Sequence, residues 1–227
     1  MRDWPICLTE SETLAKMQAG KSLARFGDGE LAIALGMGNS THKPNKKLAD
    51  EYVHILRSPS AMCLPAIPTM DPKSPKYDAW AQRKGTFSRV LDMGRVYGSA
   101  LVGQISSCPW IDTDEHVNGF REVWKGKRAV GVSSGKPKHD LNGSDTSLQR
   151  VLSWDASEVI LISCPAEEAY SEIDSIESAC VKIRPDIVVA CAGPMATALA
   201  NRLAGRGIQC IDLGRGLGLI LRHKYQS

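Results

Sequence analysis

No apolar run in this sequence approaches the roughly 20 residues that a helix needs to cross a bilayer, and the opening stretch MRDWPICLTESE has no apolar segment of signal length. The expectation is a cytoplasmic protein with at most peripheral membrane contact. No Cys-x-x-Cys pair occurs among the cysteines at positions 7, 63, 108, 164, 180, 191 and 210. An odd number without such pairs speaks for reduced thiols rather than a disulfide framework. The histidines at 42, 54, 116, 139 and 223 show neither His-Glu-x-x-His nor His-x-His spacing, so a zinc site is not expected. A serine hydrolase is likewise not expected. The net charge is only +3 and is spread along the chain, which argues against a nucleic-acid partner. Short basic runs at Lys43 to Lys47, Arg121 to Arg128 and Arg215 to Lys224 are mixed with glycine or apolar residues and read first as solvated faces.

What is present is an ordinary globular composition. Apolar residues make up 43% and charged residues 23% of 227 positions, enough for one well-buried core. Thr9-Glu-Ser-Glu12 starts a helix with an N-cap and a glutamate three residues on, ending at Gly20. Ser22 to Phe26 reads as a strand, and a helix follows from Glu30 to Leu35. Leu48 to Leu56 and Tyr77 to Leu91 read as helices, Ala61 to Ile67 and Val96 to Ile105 as strands, and the four prolines between Pro65 and Pro75 as a loop. Phe120 to Trp124 belongs to another helix, Lys127 to Val132 is a strand, and Ser133 to Ser147 is a polar loop. Thereafter strands at 158–163, 186–192 and 209–213 alternate with helices at 168–181 and 194–204. Continuous apolar runs such as Val159 to Ile162 and Ile187 to Ala190 suit strands covered on both faces. The fold class is α/β: a Rossmann-like, mostly parallel sheet flanked by helices, in a single domain over residues 1–227.

The most informative string is Arg25-Phe-Gly-Asp-Gly-Glu30. It places two carboxylates at the exit of a predicted strand, the edge where ligands bind in open α/β sheets. Residues two apart can face one side there, and Gly27 and Gly29 let the backbone approach closely. Asp28 and Glu30 thus suit one hard divalent cation bound to a diphosphate, with Arg25 neutralising a phosphate. The competing reading is structural: Asp28 caps the following helix and Glu30 sits in its first turn. Gly193-Pro194 opens a later helix, whose free N–H groups, with Thr197, suit a phosphate or a sugar hydroxyl; a packing turn explains the same residues. Gly214-Arg-Gly-Leu-Gly218 is not a dinucleotide fingerprint, because too little chain follows it in this sequence. Gly20-Lys-Ser22 is not a P-loop, because Ala15 stands where the first glycine belongs.

These strings resemble the GT-D type glycosyltransferases, which carry an Arg-Phe-Gly-Asp-Gly-Glu string with an Asp-x-Glu metal motif. The similarity continues collinearly through Val96 to Ala100, Trp124 to Lys127, Ser163 to Ala169, Ala192 to Ala200 and Gln209 to Gly214. The resemblance implies transfer of a hexose, often glucose, from a UDP-sugar donor to a glycan or glycoprotein acceptor with Mn²⁺ or Mg²⁺. Asp28 and Glu30 then become the metal and catalytic residues. Around the donor the expected contacts are Arg25, Gly27, Gly29, Gly193, Pro194, Thr197, Asn142, Asp145 and Asp212. The sequence leaves a homo-oligomer open. Two departures stand out: Asp212-Leu-Gly-Arg215 and a basic tail replace the family's histidine and acidic residues, and Ser133 to Lys136 replaces an acidic position. The alternatives are a metal-dependent nucleotide phosphohydrolase and a non-catalytic sugar-nucleotide-binding protein.

Overall fold

The computed structural model of the chain describes residues 4–74, 77–103, 113–134, 145–214 and 220. Among the described residues eight strands form one sheet: β1 (Ile6–Cys7), β2 (Ser22–Arg25), β3 (Cys63–Ile67), β4 (Val96–Ser99), β5 (Arg128–Ser134), β6 (Glu158–Cys164), β7 (Ile187–Cys191) and β8 (Gln209–Asp212). Their order is β1-β4-β3-β2-β8-β7-β5-β6, and all the pairs are parallel. The helices are α1 (Glu10–Gln18), α2 (Asp28–Ala34), α3 (Lys46–Arg57), α4 (Tyr77–Ala81), α5 (Lys84–Phe87), α6 (Thr113–Trp124), α7 (Asp145–Leu152), α8 (Ile173–Ile183) and α9 (Pro194–Gly205).

Both faces of the sheet are covered, as its apolar strands require. One core joins Phe26, Val188 and Ala190 to Leu31 of α2, Tyr52 and Ile55 of α3, Ile173 and Ile176 of α8 and Leu199 of α9. The other joins Leu23, Val189 and Ile211 to Leu14 and Met17 of α1, Phe120 and Trp124 of α6 and Leu148 of α7. The chain leaving β7 therefore enters a helix on one face, while the helix after β5 lies on the opposite face. Adjacent parallel strands whose connections diverge in this way open a crevice at their C-terminal ends. Asp28 and Glu30 follow β2 at this same edge.

Several expected elements shift. Pro65, expected to begin a loop, lies inside β3 opposite Ala24; burial of Pro65, Ala66 and Ile67 outweighs the ladder bond that proline cannot donate. The helix expected over 77–91 breaks into α4 and α5. The strand expected over 96–105 ends at Ser99 and turns into a 3₁₀ segment, Ala100–Gly103; positions 104 and 105 lie outside the described residues. A second 3₁₀ turn, Ala169–Glu172, precedes α8 where one helix was expected. The polar loop expected from Ser133 to Ser147 is shorter at both ends, because β5 runs to Ser134 and α7 starts at Asp145. No helix among the described residues is long and apolar enough to cross a membrane.

Candidate active site

The strand β2 delivers Arg25 and Phe26 into the core, and Gly27 then serves as the N-cap of α2. The structural alternative for Asp28 is corrected at this point: Asp28 is the first helical residue, not the cap. The capping contact comes from Glu30, whose Oε2 accepts the Gly27 N–H at 2.9 Å. Gly27 has no side chain to reciprocate, so the contact is half of a capping box. The same-side geometry expected of the two carboxylates also changes. Residues two apart on a helix lie on different faces, and Asp28 is exposed while Glu30 is half-buried. No side-chain hydrogen bond or ion pair occupies Asp28 among the described residues, and Glu30 keeps Oε1 for another partner.

Arg25 is buried to 8% exposure, and its Nε has no hydrogen-bond partner among the described residues. A buried guanidinium N–H without an acceptor is costly unless a ligand supplies one. The guanidinium lies against Gly214, where an added methyl would stand 2.6 Å from Nη2 and 2.8 Å from Nε. Gly214 also has φ +52, so both the close approach and the left-handed backbone require glycine there.

Behind Arg25 lies a closed polar triad. Thr197 of α9 places its Oγ1 2.8 Å from Asp212 Oδ2 and 3.1 Å from the Arg25 carbonyl. Thr197 and Asp212 are 0% and 2% exposed, so these two expected ligand residues hold Arg25 from behind. Burial pushes the Asp212 carboxyl up to about 7, helped by the negative charge of Glu30 and opposed by Arg25 and by the Thr197 hydroxyl. Tyr52 of α3 donates its hydroxyl to the Pro194 carbonyl, and burial, with Glu30 and Asp212 nearby, keeps that phenol protonated well above its ordinary range. Gly193, with φ +58 and ψ −143, is the N-cap of α9, and Pro194 occupies its first turn. Through Thr197 the N-terminal part of α9 meets the Arg25 backbone.

Gly29 borders Asn39: a methyl there would lie 3.4 Å from Asn39 Nδ2. One at Gly193 would lie 3.9 Å from Thr41 Oγ1. The segment between α2 and α3 thus reaches from one expected site element to the other. Asn39, Thr41 and Tyr52 are the neighbours that the sequence reading missed. Asn142 lies outside the described residues. Asp145 begins α7, away from the loop expected of it.

The arrangement suits a metal–diphosphate complex better than a metal held by protein alone. No group of three or more His, Cys, Asp or Glu residues is placed to hold a metal among the described residues. Asp28 and Glu30 supply at most two carboxylates, and Mg²⁺ or Mn²⁺ sites of that kind complete their shells with phosphate oxygens and waters. Burial pushes the Cys63 and Cys180 thiols up to about 12, which keeps them protonated and inert. Gly131 to Gly135 does have Gly-x-Ser-x-Gly spacing. Ser133 nevertheless lies within β5, buried and paired in register with Cys191 and Ser163, not on the strand-to-helix elbow that exposes a hydrolase nucleophile.

Known proteins share this frame. A solved structure of the highly conserved domain of unknown function 1792, described as a distinct glycosyltransferase fold, superposes with TM-score 0.81 at 22% identity, covering 99% of this chain and 83% of that one. A glycosyltransferase from Streptococcus sanguinis with the same domain superposes with TM-score 0.81 at 18% identity, covering 98% and 86%. In sequence the chain is 24% identical over 221 residues to glycosyltransferase GlyD of Streptococcus pneumoniae serotype 4, with 87% of this chain and 25% of the relative covered. It is 23% identical over 222 residues to the probable glycosyl transferase Gly of Streptococcus gordonii, with 87% and 30% covered. The chain thus spans less than a third of these curated relatives. The family model for the glycosyltransferase GT-D fold matches residues 23–217, and the chain belongs to the GT-D glycosyltransferase family.

Proposed function

We propose that this chain transfers a hexosyl group, glucose in the first instance, from a UDP-sugar to a glycan or glycoprotein acceptor at the cytoplasmic side, using Mn²⁺ or Mg²⁺ at Asp28 and Glu30. One observation carries the reading. An Asp28 carboxylate, a Glu30 Oε1 and a buried Arg25 Nε that have no partner among the described residues all come from one six-residue turn at the C-terminal end of β2.

In the reaction the acceptor hydroxyl oxygen bonds to the anomeric carbon and releases its proton to solvent, the bond from that carbon to the β-phosphate oxygen breaks, and UDP leaves with the electron pair. Asp28 and the free oxygen of Glu30 would hold a divalent ion, which when bound would supply positive charge to the departing diphosphate. Arg25 adds a fixed positive charge in a poorly hydrated place, where it acts without reorganising. Thr197 and Asp212 keep Arg25 aimed, and the first turn of α9, opened by Gly193 and Pro194, supplies N–H donors beside it.

A thermal-shift titration of wild type and Asp28→Asn with UDP, UDP-glucose, GDP and NAD, with and without Mn²⁺, tests this, because a ligand that binds only the folded state raises Tm. Stabilisation by UDP compounds only with metal, lost in Asp28→Asn, supports the reading. Equal responses of the two proteins, or no response to any UDP compound, reject it. UDP release that proceeds at full rate without an acceptor would replace transfer by hydrolysis.

A further inference from the structure

The segment between α2 and α3 is built around one asparagine. Asn39 Oδ1 accepts three hydrogen bonds: from the Thr41 N–H at 2.8 Å, the Thr41 hydroxyl at 3.0 Å and the His42 N–H at 2.9 Å. The Asn39 N–H in turn reaches the His42 carbonyl at 2.8 Å. The loop closes so tightly that a methyl on Gly38 would stand 2.8 Å from the His42 oxygen.

The polarity of the whole chain of contacts is fixed from its far end. The Tyr170 N–H points at His42 Nε2 at 3.4 Å, which leaves the neutral ring's proton on Nδ1. That nitrogen lies 3.3 Å from Thr41 Oγ1, and the Thr41 proton then goes to Asn39 Oδ1. His42 is 2% exposed. The loop is also tied down by Glu168, whose N–H donates to the Thr41 carbonyl at 3.1 Å and whose Oε1 accepts the Lys43 N–H at 2.7 Å. Glu168 adopts φ +52, a conformation that costs a non-glycine residue about 1 kcal/mol.

With three donors converging on Oδ1, the Asn39 amide group can turn only one way. Its Nδ2 faces Gly29, between Asp28 and Glu30, and donates to none of the described residues. We propose, on the donor-site reading above, that Asn39 binds the sugar-nucleotide: Nδ2 donates to an oxygen of the donor seated over the Asp28–Glu30 turn, with the 38–43 loop as a prebuilt wall. The partner oxygen belongs to the diphosphate or to the sugar.

Asn39→Asp separates this role from loop building. Aspartate keeps the oxygen that accepts the three loop bonds and loses the two outward N–H donors. Titration of wild type and Asn39→Asp with UDP and UDP-glucose, each with Mn²⁺, at about 0.05 M and 0.5 M salt, reads the difference. The expected result is an unchanged ligand-free Tm and a loss of affinity of about tenfold or more that persists at high salt, since a missing hydrogen bond is not restored by screening. A loss already present with UDP assigns the contact to the diphosphate, and one seen only with UDP-glucose assigns it to the sugar. Affinity within twofold of wild type, a gain of affinity, or a loss erased at 0.5 M salt overturns the proposal while leaving the donor-site reading intact. If wild type binds neither nucleotide, both fall together.

Discussion

Glu30 Oε2 holds the Gly27 N–H at 2.9 Å, while Asp28, two residues earlier, holds nothing among the described residues. The two acids of one motif therefore divide the work: Glu30 has a structural obligation that Asp28 lacks. Glu30→Ala should cost about 1 kcal/mol in chemical denaturation, the usual cost of losing a helix-capping contact, and Glu30→Gln should recover most of it. Asp28→Asn and Asp28→Ala should both leave stability within about 0.5 kcal/mol of wild type and both lose Mn²⁺-dependent UDP binding. A stability loss at Asp28 comparable to that of Glu30→Ala would return the carboxylate to a capping role.

Gly214→Ala tests Arg25 without touching it. The new methyl would fall 2.6 Å from Nη2, so the guanidinium must move, and the left-handed backbone adds about 1 kcal/mol of strain. Donor affinity should drop about tenfold or more, in line with losing one hydrogen bond to a charged group. Isothermal titration with UDP and Mn²⁺ measures it. An unchanged affinity would show that Arg25 does not meet the donor.

Buried Asp212 makes apo stability depend on pH. Burial raises its folded-state carboxyl to about 7 from an ordinary 3.8. Between those values the folded protein binds more protons than the unfolded chain, so this residue lowers stability as pH rises through that window. Asp212→Asn removes the titration and still offers Thr197 an oxygen. The Tm of Asp212→Asn minus that of wild type should therefore grow as pH goes from 5 to 8. Differential scanning calorimetry across that range checks the sign, and a constant or shrinking difference contradicts it.

Much of this architecture is legible in the sequence because its strands are apolar on both faces. Runs such as Ile187 to Ala190 admit little besides a central parallel strand, and the Thr9–Glu12 capping box marks the start of α1 to the residue. β1 escapes notice because two residues cannot display a period. Pro65 misleads because burial overrides its local preference. At the site, the Arg25-to-Glu30 string announces the carboxylates, yet their division of labour depends on whether Gly27 or Asp28 caps α2, and no pattern of residue types distinguishes these. Asn39 and Tyr52 are invisible for a different reason. One looks like an ordinary loop asparagine and the other like a core aromatic, and their placement depends on contacts with segments more than a hundred positions away, such as that of His42 with Tyr170 and of Tyr52 with Pro194.

Arg202 locks the helices behind the site, and its loss should be felt mainly at neutral pH. From α9 its Nε and Nη2 grip Glu51 of α3 at 2.6 and 2.8 Å, and its Nη1 reaches Asp174 of α8 at 2.6 Å. The side chains of Arg202 and Glu51 are only 19% and 16% exposed. Burial works to raise the Glu51 carboxyl, but bonds from Arg202 and Tyr170 outweigh it and hold it below its ordinary range. That contribution to stability is complete above the unfolded value and is lost as pH falls through the lowered folded one. Arg202→Met leaves Glu51 buried without its counter-charge and should cost about 3 kcal/mol at pH 7. In the variant only the Tyr170 hydroxyl and Lys47 still oppose burial, so folded Glu51 takes up its proton more readily than in wild type, and the deficit narrows on acidification toward pH 4. Adding Glu51→Gln should restore part of the loss at pH 7 and flatten the pH dependence of the deficit. Urea denaturation of the three proteins at pH 7 and pH 4 measures both effects, and a deficit that widens on acidification would mean that the pair is not what Arg202 contributes.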